Sequence, residues 1–219
     1  FGLAAAGIGS DTGGSVRIPA AWNDMVGFKT TAGRLSLGGG VPLCSRFDTV
    51  GPLTKSVEDA ARLSGIMSGR EIDLPTPKAV KGLKLGILKN VAMENVVDLP
   101  KKAFESAIDK LKEAGASVSE LFVSSADEAM DLTGLLYSPE AYATWKHKIE
   151  KTPELMFAKI LERFRSGANV LASDFICAWD KLMDLRQQYH LAVEMYDAVL
   201  IPTSPIIPPE LDRLMNDGD

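Results

Sequence analysis

Two glycines run into a serine at Gly13-Gly14-Ser15, inside the stretch GSDTGGSVRIPA that spans Gly9 to Ala20. Consecutive backbone N–H groups in a glycine-rich turn can point into one concavity, and such a nest binds an anion. Glycine tolerates the positive φ values that the turn requires. A serine at the end of the nest holds its oxygen beside those donors. Acyl transfer needs this pairing: a nucleophile, and N–H groups aimed at the oxyanion that its attack creates. Arg17 and Pro19 would stiffen the exit.

Other loop chemistries fit less well. A P-loop needs Lys followed by Ser or Thr after its second glycine, whereas Ser15-Val16 follows here. The glycine spacing is wrong for a dinucleotide-binding fingerprint. The Gly-x-Ser-x-Gly elbow fails at Arg17, where its last glycine would stand. On pattern alone, a tight turn without chemistry and a nucleophile weigh about equally. A Ser-His-Asp triad is hard to build, because the 2 histidines, His147 and His190, fall in expected helices among charged or polar neighbours and read as surface residues. The base for Ser15 is then another group, and a lysine serves when burial or a nearby charge lowers its pKa. Cys44 could be a thiol nucleophile, but no matching Glu and Lys motif surrounds it, and a small apolar filler is the commoner role. Arg17 could bind a substrate carboxylate; tying loop backbone together is the larger share of such cases.

The elements that must hold this loop can be read in outline. Leu3 to Ile8 is small and apolar, a buried strand or the tail of a helix. Pro19 can open a short helix through Trp22, and Met25 to Thr31 can form a short strand. Ala32 to Pro52 is rich in Gly, Ser and Pro, as in a loop or short strands. Thr54 to Ser68 predicts a helix, with Ser56 and Asp59 as a capping pair. Arg70 to Gly82 reads as a linker. Leu83–Leu88 alternates as a strand, Lys101–Ala114 has helical spacing with Gly115 as its stop, and Ala116–Val123 alternates again. Strand, helix, strand implies a parallel βαβ unit. Ala126 to Gln188 reads as mostly helical, with Leu155, Ile160, Leu161 and Phe164 on one helix and Phe175, Ile176, Trp179, Leu182 and Met183 on another. Ala198 to Ile201 is expected as a buried strand, followed by an irregular tail from Pro202 to Pro209.

Composition sets the outer bounds. The 219 residues are 46% hydrophobic and 24% charged, with a formal net charge of -5, which is ordinary globular composition for one or two domains. No Lys and Arg run provides a nucleic-acid footprint. No apolar stretch is long enough to cross a bilayer, and no basic start precedes the apolar N-terminus. The 2 cysteines, Cys44 and Cys177, lack CxxC spacing, so neither a zinc site nor a disulfide framework is suggested; no metal and no cofactor is expected. Free thiols without a leader favour the cytoplasm. Residue 1 is Phe, and Phe1 to Ala6 reads as the middle of a buried element, so a segment of a longer chain is expected.

The stretch Gly9 to Ala20 resembles the core motif of the amidase signature family. Val26-Gly27-Phe28-Lys29-Thr30 is similar to the family's next strand, and Gly33-Arg34-Leu35-Ser36 to the turn after it. Phe47-Asp48-Thr49-Val50-Gly51-Pro52-Leu53 resembles the Leu-Asp-x-x-Gly-Pro segment, and Ser56 to Ala61 the helix beyond. Tyr196-Asp197, followed by Ala198 to Pro205, resembles the Tyr-Asp-x-x-x-x-Pro-Thr-x-Pro strand. The resemblance implies an α/β fold, a mixed sheet flanked by helices, with residues 1–219 a middle portion of a single amidase domain. It implies an amide hydrolase with a Ser–cis-Ser–Lys triad, in which Ser15 is the acyl-ester nucleophile and the N–H groups of Thr12, Gly13, Gly14 and Ser15 form the oxyanion hole. Asp48 could be catalytic, but the resemblance implies that it helps to shape the pocket wall. The cis-serine and the lysine would fall before Phe1; Ser10 is too near Ser15, and Lys29 and Lys55 do not match the lysine motif. The isolated segment is therefore expected to be inactive, and absent edge strands would leave apolar surface exposed. The expected partner is a small-molecule amide, with no nucleic acid, no membrane and a homodimer left open. Two alternatives stand beside this: the subunit of a tRNA-dependent amidotransferase that hydrolyses glutamine and passes on ammonia, and a non-catalytic anion- or nucleotide-binding module.

Overall fold

Gly7 to Asp11 gives the first strand, and its sequence hides it: glycines at 7 and 9 leave no side-chain period to read. The computed structural model describes residues 2–69, 74 and 76–212. These fall into two units, Phe1–Pro77 and Lys78–Asp219, each with its own packing.

In the first unit β1 (Gly7–Asp11), α1 (Arg17–Trp22), β2 (Val26–Gly27), β3 (Thr49–Thr54) and α2 (Val57–Met67) follow in order. The sheet is antiparallel in the order β1-β3-β2. Its register pairs Gly7 with Leu53 and Asp11 with Thr49, so the two buried polar residues that begin the loop chemistry lie side by side. The strand that the sequence places over Met25–Thr31 is short, but Phe28 still donates its N–H to the Pro52 carbonyl at 3.0 Å. Gly51 makes this approach feasible, since a Cβ there would lie 1.9 Å from the Phe28 oxygen. The expected N-terminal apolar element is not buried: Leu3 is 93% exposed, and Phe1 lies outside the described residues.

Ser56 caps α2 as expected. Its hydroxyl oxygen accepts the Asp59 N–H at 3.1 Å and its hydroxyl donates to Asp59 Oδ2 at 2.7 Å. Glu58 and Asp59 add negative charge to the first turn, where the helix dipole favours it. Ser56→Ala is expected to cost about 1 kcal/mol, read as a lower urea midpoint with unchanged slope.

The second unit holds β4 (Lys84–Leu88), α3 (Asp98–Glu113), β5 (Ser117–Leu121), α4 (Ser124–Asp131), α5 (Thr133–Ile149), α6 (Ala158–Ser166), α7 (Ala172–Val193) and β6 (Ala198–Leu200). Its sheet is parallel, in the order β5-β4-β6. The βαβ unit is present as predicted, and α3 begins three residues early because Pro100 is accommodated in its first turn. Leu88, Leu121 and Val123 form a core cluster with Tyr189, Val193 and Val199 around them. Asp197 locks β6 to β4: its N–H donates to the Lys84 carbonyl and its carboxylate accepts the Lys84 N–H, both at 2.8 Å.

Three expectations need correction. Leu155 does not belong to the helix of Ile160, Leu161 and Phe164; it ends a 3-10 turn over Pro153–Leu155 and is 82% exposed, because Met156 is extended and breaks the helical run. Ile176 and Met183 do lie on α7 but are more than half exposed, and the buried stripe runs through Ala178, Leu182 and Leu185 instead. The last strand is half-exposed rather than buried, since among the described residues it pairs on one side alone. The expected linker at 70–82 lies partly outside the described residues, which exclude 70–73 and 75. No helix among the described residues is long and apolar enough to cross a membrane.

Candidate active site

Asp11 ends β1 and is fully buried. One oxygen of its carboxylate accepts the Gly14 N–H at 2.7 Å and Arg17 Nη2 at 2.9 Å. The other accepts the N–H groups of Val16 at 3.2 Å and Arg17 at 3.3 Å, and Arg17 Nε at 2.9 Å. A short acidic side chain that bonds the backbone ahead of it makes a tight turn of the following residues. A planar guanidinium adds two parallel charge-assisted bonds. Burial by itself would push the Asp11 carboxyl up; Arg17 and the N–H groups of Gly14 and Val16 outweigh it and hold the pKa at about 2. Arg17 thus ties the loop together, the commoner of its two sequence-based roles.

The turn closes through Gly14 at φ +132, a conformation that L side chains rarely adopt. Val16 is fully buried and pins the start of α1, which begins at Arg17. Between these anchors Ser15 is exposed. Among the described residues its hydroxyl meets no hydrogen-bond partner, and neither Gly13 nor Ser15 donates its N–H to an acceptor in the chain. The Gly14 N–H is different. Its one hydrogen is directed at Asp11, so in this arrangement it is engaged rather than open to a ligand.

The start of β3 holds the same loop from the other side. Thr49 donates its hydroxyl to the Asp11 carbonyl at 2.7 Å. Asp48, buried, accepts hydrogen bonds from the Thr12 hydroxyl and from the N–H groups of Leu43 at 2.9 Å and Cys44 at 3.1 Å. Cys44 is fully buried, as suits a filler rather than a reactive thiol. A cavity of about 190 Å³ opens beside this point, between Ser10 and Val50 on the sheet and Leu37, Val41, Pro42 and Ser45 on the loop. Lys29 lies near the turn and donates to the Thr30 carbonyl at 2.9 Å. Burial lowers its pKa, Arg17 lowers it further, and Asp11 opposes both.

Sequence reasoning singled out Ser15, the glycines and Arg17, and missed that Asp11 organises them. The signal was present as an acid just before the glycine turn with an arginine six residues on. His147 and His190 are exposed on α5 and α7 of the other unit. No cluster of three or more His, Cys, Asp or Glu suited to a metal occurs among the described residues.

Known proteins share this arrangement of chain. The Amidase family model matches residues 1–218. An amidase of Pseudomonas putida is 35% identical over 90% of this chain and 46% of its own length. A glutamyl-tRNA(Gln) amidotransferase subunit from Alkaliphilus metalliredigens is 33% identical over 94% of this chain and 50% of its own. The crystal structure of an amidase superposes with a TM-score of 0.86 at 32% identity, covering 94% of this chain and 46% of that one. The chain therefore spans about half the length of the curated relatives it matches. With a mixed α/β architecture and a match along nearly its whole length, the chain belongs to the amidase family, that of the amidase signature.

Proposed function

We propose that Ser15 is the acyl-enzyme nucleophile of an amide hydrolase, and that both units are parts of one amidase domain. The observation that carries this is the Asp11 collar: it engages the N–H groups of Gly14, Val16 and Arg17 yet leaves Ser15 exposed and unpartnered among the described residues. In the reaction Ser15 Oγ attacks the amide carbonyl carbon, and its proton passes to a base. The carbonyl oxygen becomes an oxyanion held by N–H groups of the loop. The C–N bond then breaks, the leaving amine takes a proton, and water cleaves the resulting ester to release the acid. Of the donors that the family resemblance implies, Thr12, Gly13 and Ser15 are assigned direct contact. Gly14 is assigned the turn that aims them, because its own N–H is held by Asp11. The base and its relay serine are assigned to the rest of the protein.

A fluorophosphonate probe on the polypeptide as its gene encodes it tests this reading. An adduct mapped to Ser15 by mass spectrometry, and lost in Ser15→Ala, is expected. An unlabelled Ser15 in a protein that hydrolyses amides would reject it. The identity to an amidotransferase subunit, nearly equal to that to an amidase, favours one second reading, a glutaminase whose activity depends on partner subunits. Glutamine hydrolysis without partners, or none with them, decides against it.

Gly14→Ala is expected to lower kcat about 10²-fold, the scale of a small misplacement of the donors that its turn aims. The φ of +132 decides this, since the 2.7 Å approach of a new Cβ to Ile18 Cδ1 could be relieved by a side-chain shift. The check is kcat on a simple amide beside the melting temperature; a near-normal rate counts against the assignment.

A further inference from the structure

We infer that Asp48 is a positioning residue that couples the loop walling the small cavity to the oxyanion donors, an inference that rests on the reading of Ser15 above. Asp48 is 4% exposed, and both of its oxygens are engaged. One set of donors, Leu43 and Cys44, sits on the loop that closes the cavity of about 190 Å³. The other donor is the Thr12 hydroxyl, 36 residues away in the chain and immediately ahead of Gly13. A buried carboxylate shared by two segments fixes each with respect to the other, because either one would strand it if it moved.

The peptide plane makes the coupling matter for chemistry. The Thr12 N–H belongs to the same rigid plane as the Asp11 carbonyl, and the two point in opposite directions. Thr49 holds that carbonyl at 2.7 Å. Asp48 holds the side chain of the residue on the other end of the plane. Neighbouring residues at the start of β3 thereby set the direction of the first proposed oxyanion donor, one through backbone and one through side chain. No hydrogen bond joins Asp48 to Ser15 among the described residues, so Asp48 acts through Thr12 and is not itself a catalytic residue.

The test is a double-mutant cycle in the polypeptide as its gene encodes it, with hydrolysis of a simple primary amide read as ammonia released. Thr12→Val keeps the shape and removes only the hydroxyl; a kcat loss of about 10²-fold, the scale of a misaimed group, with KM within a few-fold, is expected. Thr12→Ser should restore kcat. Asp48→Asn retains a single acceptor oxygen, so it should lower kcat similarly and raise KM as well. In the double variant the kcat loss should be no larger than in Thr12→Val alone, since both changes cut one connection. Losses that multiply, or a normal kcat in Thr12→Val, overturn the coupling. If Asp48→Asn fails to fold, the Thr12→Val and Thr12→Ser pair decides. Ser15→Ala measured alongside separates the layers: turnover retained there rejects the nucleophile, whereas a dead Ser15→Ala with multiplying losses rejects only the role of Asp48.

Discussion

Ser15→Ala is expected to lower amide turnover by about 10⁴-fold or more while leaving the melting temperature unchanged. The rate effect follows from the role proposed for Oγ, that of forming the bond that splits one difficult step into two. Without it, the loop's donors can still polarise a bound amide, so a residual rate above that of water survives. The stability effect follows from the surroundings. Ser15 is exposed, and its hydroxyl meets no partner among the described residues, so its removal strands no buried donor or acceptor. Surface changes of this kind stay within about 0.5 kcal/mol. The pairing of a large kinetic effect with a negligible structural one is what a group that acts in the chemistry, and not in the fold, produces. It is checked by kcat and thermal melting on the same preparation. Retained turnover sinks the assignment, and so does a loss that tracks unfolding.

The distribution of what could be read in the sequence has physical causes. The turn at Gly13-Gly14-Ser15 announces itself, because glycines before a small polar residue signal a concavity lined with N–H groups. What fills the concavity is not announced. Here the chain's own Asp11 takes the Gly14 N–H, together with those of Val16 and Arg17 beyond the turn, and for that reason the proposal gives Gly14 the turn rather than direct contact. The βαβ unit was legible because strand alternation, helical spacing and a terminal glycine all agree over Leu83 to Val123. β1 was not placed, because Gly7 and Gly9 carry no alternation. Thr12 and Asp48 could not be paired from sequence: the contact spans 36 residues and depends on the antiparallel register that sets Asp11 against Thr49. On α7 an apolar stripe was visible, but which part of it is buried depends on the neighbouring helices, and the stripe centred on Leu182 won over Ile176 and Met183.

Removing the Asp11 carboxylate should be highly damaging to the fold of the first unit. Asp11→Ala leaves the N–H groups of Gly14 and Val16 buried without this acceptor and takes the carboxylate away from the Arg17 guanidinium. Breaking a buried pair from one side costs about 3–5 kcal/mol. The lower end applies, because Arg17 is 41% exposed and can turn to water. That is still a large share of the roughly 5–15 kcal/mol that holds a typical domain together. Asp11→Asn is the sharper probe, since it keeps the shape and removes the charge. The sign of the pH effect follows from the depressed pKa of about 2. A carboxyl that binds its proton less readily folded than unfolded stabilises the fold in full above its ordinary value of about 3.9, and loses that contribution as pH falls toward about 2. Wild type should therefore shed more stability than Asp11→Asn between pH 5 and pH 2, as chemical denaturation at each pH will show, and parallel acid limbs would remove Asp11 from the centre of the loop. The same variant speaks to catalysis. With an asparagine amide in place of the carboxylate, the turn loses the charged acceptor that draws the N–H groups of Gly14 and Val16 together, and Ser15 loses its fixed aim. An Asp11→Asn protein that folds at neutral pH, binds amide and turns it over slowly would show that the collar's work is to hold Ser15, the proposed nucleophile, still.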